Sequence, residues 1–241
     1  MSNGQTRVAL LAGASGLTGG YVLDALLDST DFGRVIAVTR RPLPRDNPRL
    51  ANRIVQFGRL EAQLRGVTCE VALCCLGTTI ARAGSRERFR EVDVDYVVAF
   101  ARAALAARAQ RFVVMSSAGA DSRSGNFYLR TKGEMEQELE ALGFGALDIL
   151  QPGLLLGWRH ETRPLELAAM ALMPLLNPLL VGKRAAFRGI SARQVAAAMV
   201  GATRSGRKGV QRYLNPAIDA LARLAPARPA PPPDRKPDRG R

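Results

Sequence analysis

The stretch Arg7-Val8-Ala9-Leu10-Leu11-Ala12-Gly13-Ala14-Ser15-Gly16-Leu17-Thr18-Gly19 decides the fold. Its first six residues are almost continuously apolar, the pattern of a strand buried on both faces. From Leu17 the period changes: Leu17, Val22, Leu23, Leu26 and Leu27 recur at helical spacing, which predicts a helix over 17–27. Gly13, Gly16 and Gly19 lie between the two elements. In that setting the first glycine permits a sharp turn, the second lets a pyrophosphate approach the backbone, and the third lets the helix pack close to the strand. The helix N-terminus adds free N–H groups and a partial positive charge. The stretch predicts a dinucleotide-binding loop made by Gly13, Ser15, Gly16, Leu17, Thr18 and Gly19, with one residue more between its first two glycines than G-x-G-x-x-G.

Outward from this loop, short apolar runs alternate with helical patterns. Strands are expected at 34–39, 53–57, 71–76, Arg111–Met115 and Ala146–Leu150, and helices at 86–107 and 127–142. Buried strands alternating with helices mean an α/β fold: a Rossmann-type, doubly wound parallel sheet with right-handed crossovers and a small C-terminal substrate-side region. Residues 1–224 read as a single NAD(P)-binding domain, its substrate-side elements mainly in 153–214. Residues 165–181 are strongly apolar but contain Pro174 and Pro178, which favours a helix lining an apolar pocket over a membrane span. Ser191 with Gln194 forms a capping-box pattern opening a helix to Ala202. Residues 225–241 are dominated by Pro and Arg, lack apolar content and read as a disordered tail.

The formal net charge is +14, carried by 31 Arg against 4 Lys. No nucleic-acid motif accompanies it, so the excess reads as compositional bias, and contact of the basic tail with nucleic acid or membrane is the weakest of the functional readings. Cys69, Cys74 and Cys75 are an odd number without metal-ligand spacing, and His160 is the one histidine, so no metal site is expected. Buried reduced thiols and the lack of a hydrophobic run after a basic start suit a cytoplasmic protein. The oligomeric state is not readable.

The second strand ends Val38-Thr39-Arg40-Arg41-Pro42, and no Asp or Glu occurs between Gly33 and Arg45. An NAD site usually places an acid here for the ribose 2′-hydroxyl. Its absence, with Arg40 and Arg41 in place to bind a 2′-phosphate, favours NADP over NAD.

Tyr128 and Lys132 stand four apart on a predicted helix and share a face. Ser116 and Ser117 end the strand before it, at the sheet edge where such folds hold ligands. A lysine cation lowers the pKa of a neighbouring phenol. Tyr128 could then protonate a carbonyl oxygen as hydride arrives, or deprotonate an alcohol in reverse, while Ser117 binds the same oxygen. Lys132 could also hold the nicotinamide ribose. A second reading keeps the fold and cofactor but makes the protein a regulatory or redox-sensing, partner-binding one with little turnover.

These motifs resemble the short-chain dehydrogenase/reductase superfamily in its atypical branch, and within it the Tat-interacting-protein-like oxidoreductases. The matching stretches are Gly13 to Gly19, Cys74-Cys75-Leu76-Gly77-Thr78-Thr79, Val92-Asp93-Val94-Asp95-Tyr96-Val97, Ser116-Ser117 with Gly119-Ala120-Asp121, Tyr128 to Glu134, and Gln151-Pro152-Gly153. The resemblance implies NADP(H) binding, with Ser117, the second serine, completing the active-site trio with Tyr128 and Lys132; the small carbonyl or alcohol substrate follows from the chemistry of that trio, and the resemblance names no substrate. It also implies Gly77 and Thr78 near the adenosine ribose and Pro152-Gly153 as a wall for the nicotinamide. Two departures stand out. Phe57-Gly58-Arg59 lacks the acid often found there, and Gln151 replaces the arginine that commonly precedes Pro-Gly.

Overall fold

The computed structural model describes residues 6–156 and 188–226. The apolar 165–181 stretch and nearly all of the Pro/Arg tail therefore lie outside the described residues. Seven strands, β1 (Arg7–Ala12), β2 (Phe32–Thr39), β3 (Leu50–Ile54), β4 (Val71–Cys74), β5 (Arg111–Met115), β6 (Ala146–Leu150) and β9 (Gly209–Tyr213), form one sheet in the order β3-β2-β1-β4-β5-β6-β9. Every pairing in it is parallel. Two-residue strands β7 (Leu155–Leu156) and β8 (Ile190–Ser191) pair separately.

Alternation along each strand builds two apolar layers. Leu10 and Ala12 of β1 face a core with Phe100, Phe112, Met135 and Leu139, beneath α5 (Tyr96–Ala106) and α6 (Phe127–Ala141). Ala9 and Leu11 face the opposite core with Leu23, Leu26, Val195 and Met199, beneath α1 (Leu17–Asp28) and α7 (Ala192–Ala202). Both faces of the sheet are covered, as expected for an all-parallel sheet. The strand order reverses between β1 and β4, and the crevice beyond their C-terminal ends is where such folds bind nucleotides.

The structure corrects three of the expected elements and adds others. The third strand spans Leu50–Ile54 instead of 53–57, because Val55 and Phe57 leave the sheet edge and bury in the α5-side core through a 3₁₀ turn, Phe57–Arg59. The fourth ends at Cys74 instead of Leu76, where the backbone wraps around Gly13. The helix expected over 86–107 runs as α4 (Arg86–Arg90), a π turn (Glu91–Asp95) and α5. Past Pro152, the regular elements include β9 and α8 (Asn215–Ala222), which the sequence reading did not contain. β9 escapes notice because it is an edge strand whose first two residues are exposed, so it carries no apolar run.

Candidate cofactor and active site

The phosphate loop is closely constrained. Gly13 has φ +84°, and a Cβ on it would stand 2.5 Å from the Cys75 carbonyl carbon and oxygen, so only glycine fits where β1 and β4 part. A Cβ on Gly19 would stand 2.0 Å from the Gly13 carbonyl oxygen: α1 is pressed against the loop. The Gly16 amide donates to the Gly13 carbonyl at 2.9 Å, and the first helical bond runs from Gly20 to Gly16 at 2.8 Å. The amides of Leu17, Thr18 and Gly19 therefore precede the first helical bond, and no side chain caps the N-terminus. No acidic residue occupies that first turn, so no side chain within it offsets the partial positive charge. Ser15 and Gly16 are exposed, and the buried Thr18 hydroxyl has no hydrogen-bond partner among the described residues. This cradle fits a dinucleotide pyrophosphate.

Arg40 and Arg41 are both exposed after β2. Their loop is pinned by Asn52, which donates to Thr39 Oγ1 at 2.7 Å and to the Ala37 carbonyl at 3.1 Å, and accepts from the Leu43 amide at 2.8 Å. Thr39 in turn donates to the Arg41 carbonyl at 2.7 Å. Arg40 is within electrostatic reach of Tyr96, whose ring lies 5.3 Å from that of Phe57. Arg40 thus lies on the side of the loop that faces Tyr96.

Lys132 is buried on α6, and its Nζ lies 2.6 Å from Asp93 Oδ1. Asp93 sits in the π turn, a distortion frequent at functional sites, and its other oxygen accepts from the Thr78 amide at 2.8 Å. A Cβ on Gly77 would stand 3.4 Å from Asp93 Oδ1 and 3.8 Å from Lys132 Nζ, so Gly77 lies beside the lysine head. Burial works against the charge of Lys132, but Asp93 and then Tyr128 outweigh it, and the ammonium is held above the ordinary lysine value. Tyr128, one turn back on the same face, is half-buried with its ring 5.7 Å from that of buried Phe89.

The two serines are separated by their partners. Ser116 is buried and donates to Glu136 Oε1 at 2.5 Å. Ser117 is half-buried, and its hydroxyl makes only a 3.5 Å contact, with the Ala118 carbonyl, among the described residues. Glu136 is only 3% exposed and also accepts from Gln151 Nε2 at 2.8 and 3.1 Å and from Arg212 Nε at 3.0 Å. Gln151 thus binds this acid as a neutral donor, and β9 supplies the cation. The Ala118 amide donates to the Pro152 carbonyl at 2.9 Å, and the Gly153 amide to Asn215 Oδ1 at 3.0 Å, which fixes Pro152-Gly153 beside the serines.

Asp93 stands in a sequence motif without an assigned role, and Glu136, Asn52 and Arg212 belong to no motif. Glu136 had a readable signal, since Tyr128, Lys132 and Glu136 succeed one another at steps of four on one helix face.

This sheet, with a glycine cradle at its switch point, defines a Rossmann-type dinucleotide-binding protein. Solved structures share the fold: MoeE5 in complex with UDP-glucuronic acid and NAD matches with a TM-score of 0.64 at 19% identity, over 90% of this chain and 81% of that one. The UDP-N-acetylglucosamine 4-epimerase from Methanobrevibacter ruminantium matches with a TM-score of 0.64 at 14% identity, over 91% and 81%. The model of a family described as NAD(P)H-binding matches residues 13–168, and the chain belongs to that family. Its relatives include Protein HTATIP2 of Rattus norvegicus, 37% identical over 166 residues, covering 67% of this chain and 68% of that protein. Another is the mitochondrial protein fmp52 of Aspergillus clavatus, 36% identical over 165 residues, covering 66% and 70%. Among the described residues, no helix is long and apolar enough to cross a membrane.

Proposed function

We propose that the protein is an NADP-dependent oxidoreductase of the short-chain dehydrogenase/reductase type that interconverts a carbonyl and an alcohol. The observation that carries this reading is the buried, charged Lys132 on the same face of α6 as half-buried Tyr128, at the sheet edge that also holds the phosphate loop. Gly13 to Gly19 cradle the pyrophosphate, Arg40 and Arg41 hold the 2′-phosphate, and Gly77, Thr78, Pro152 and Gly153 line the nucleoside ends. NADPH, when bound, supplies the hydride. Ser117 holds the substrate carbonyl oxygen with its hydroxyl, and Tyr128 delivers its phenolic proton to that oxygen, yielding the alcohol. Lys132 stabilises the phenolate left behind and holds the cofactor ribose. In the reverse direction Tyr128 takes the alcohol proton. Ile80 and Leu154, exposed apolar side chains close in sequence to Thr78 and Gly153, support a lipophilic substrate. Three free, buried thiols support a reducing compartment such as the cytoplasm.

The test is a screen of aldehydes, ketones and alcohols with purified protein, followed by NADPH absorbance. Turnover of a carbonyl–alcohol pair supports the reading. Tight NADPH binding with no turnover of any compound favours the regulatory, partner-binding reading instead.

A further inference from the structure

The Lys132 ammonium and the Asp93 carboxylate are nearly sealed from solvent, with 6% and 1% of their side chains exposed. The titratable groups that face Lys132 are Asp93 from the π turn, Tyr128 from its own helix and Cys74 from the end of β4. Burial pushes the Cys74 thiol up to about 12, so it brings no charge near neutral pH. A phenol brings charge only when it ionises. Asp93 is the carboxyl group in direct contact with this lysine, 2.6 Å from its Nζ. Burial alone drives a lysine towards its neutral form.

We propose that Asp93 is a positioning residue of the cofactor and proton-transfer site: its carboxylate keeps Lys132 charged and in place, and ties it through the Thr78 amide to the loop that follows β4. The inference rests on the reading of Lys132 given above, and it makes the site's positive charge conditional on one acid from another helix. An asparagine at this position still accepts the Thr78 hydrogen bond and keeps the local shape, but offers no countercharge. In Asp93→Asn the buried ammonium then gives up its proton at lower pH. That variant should behave like wild type at the acidic end of the range and like Lys132→Met at the alkaline end. A purely structural role for Asp93 would give a defect that does not change with pH.

Two measurements test this without any substrate. The chain has four lysines, so ¹⁵N NMR of their Nζ groups resolves Lys132, assigned by its loss in Lys132→Met. Wild-type Lys132 should titrate above a free lysine, and in Asp93→Asn the midpoint should fall by about two pH units or more. A wild-type midpoint at or below that of free lysine overturns the proposal, even if Asp93→Asn does not fold. Calorimetric titration with NADPH between about pH 6.5 and about pH 9.5 is the second measurement. Lys132→Met should bind about tenfold more weakly throughout. Asp93→Asn should match wild type at the lower pH and approach Lys132→Met at the higher. Asp93→Asn affinity that tracks wild type throughout, or is uniformly weaker, overturns it. If Lys132→Met binds NADPH as wild type does, the reading of Lys132 as a cofactor residue fails, and the lysine titration by itself decides the role of Asp93.

Discussion

Ser116 gives its hydroxyl hydrogen to Glu136 across 2.5 Å, while the hydroxyl of the adjacent Ser117 makes only a 3.5 Å contact with the Ala118 carbonyl. Ser117→Ala should lower turnover about tenfold to about a hundredfold while leaving the melting temperature nearly unchanged, since its hydroxyl makes only a 3.5 Å contact. Ser116→Ala should do the reverse. It leaves Glu136 short of a partner, which costs about 1–3 kcal/mol of stability, with a smaller effect on rate. Thermal melts and steady-state kinetics of both variants check the assignment. Equal losses of rate would show that the second serine is not the reacting one.

The phosphate loop tolerates no side chain at two positions. Gly19→Ala puts a methyl group 2.0 Å from the Gly13 carbonyl oxygen, which separates α1 from the loop. The expected outcome is loss of NADPH binding by calorimetry and a fall in melting temperature of several degrees. Gly20→Ala is the control: its Cβ meets only the Ala14 carbonyl oxygen, at an ordinary 3.7 Å, and both properties should stay close to wild type.

Cofactor choice rests on Arg40 and Arg41 and on the lack of an acid in their loop. NADPH should bind at least about tenfold more tightly than NADH, and Arg40→Ala should remove most of that preference by weakening NADPH alone, because charge-assisted bonds to phosphate are worth more than neutral ones. Parallel calorimetric titrations decide the matter, and equal affinities for the two cofactors in wild type would end the argument for NADP.

Asp31 joins β1 to the segment after α7, accepting from Arg204 at 2.6 and 2.8 Å and from Arg7 at 3.1 Å. The Arg204 hydrogen bonds chiefly hold its carboxyl below the ordinary aspartate value. The folded state thus binds the proton less tightly than the unfolded chain does. The stabilisation is present above about pH 4 and is lost as pH falls through the depressed value. Asp31→Asn should melt a few degrees below wild type at neutral pH, and the difference should close towards about pH 2. A difference that stays constant across that range would contradict the linkage.

Much of this was legible because its signals are local. The Gly13 to Gly19 loop sits in one strand–turn–helix stretch, and Tyr128 and Lys132 are a single helical turn apart. Asp93 was hidden for a geometric reason: the π turn breaks the 3.6-residue period on which the helix over 86–107 was read, so an acid placed among Val92 and Val94 gave no sign of its inward aim. The Glu136 network needed tertiary knowledge. Ser116, Gln151 and Arg212 reach it from three separate strand ends, and β9, which brings Arg212, was itself unread. The third strand slipped because Val55 and Phe57 serve the core from outside the sheet, where apolar character cannot be told from strand character.

The central claim is that Tyr128 moves the proton. Replacing it with Phe keeps the ring against Phe89 and removes only the hydroxyl. Single-turnover oxidation of NADPH should be followed for wild type and Tyr128→Phe, with a carbonyl substrate found by the screen. The account predicts a chemical step slowed roughly 10²–10⁴-fold with NADPH affinity preserved. A variant that oxidises NADPH as fast as wild type would contradict it.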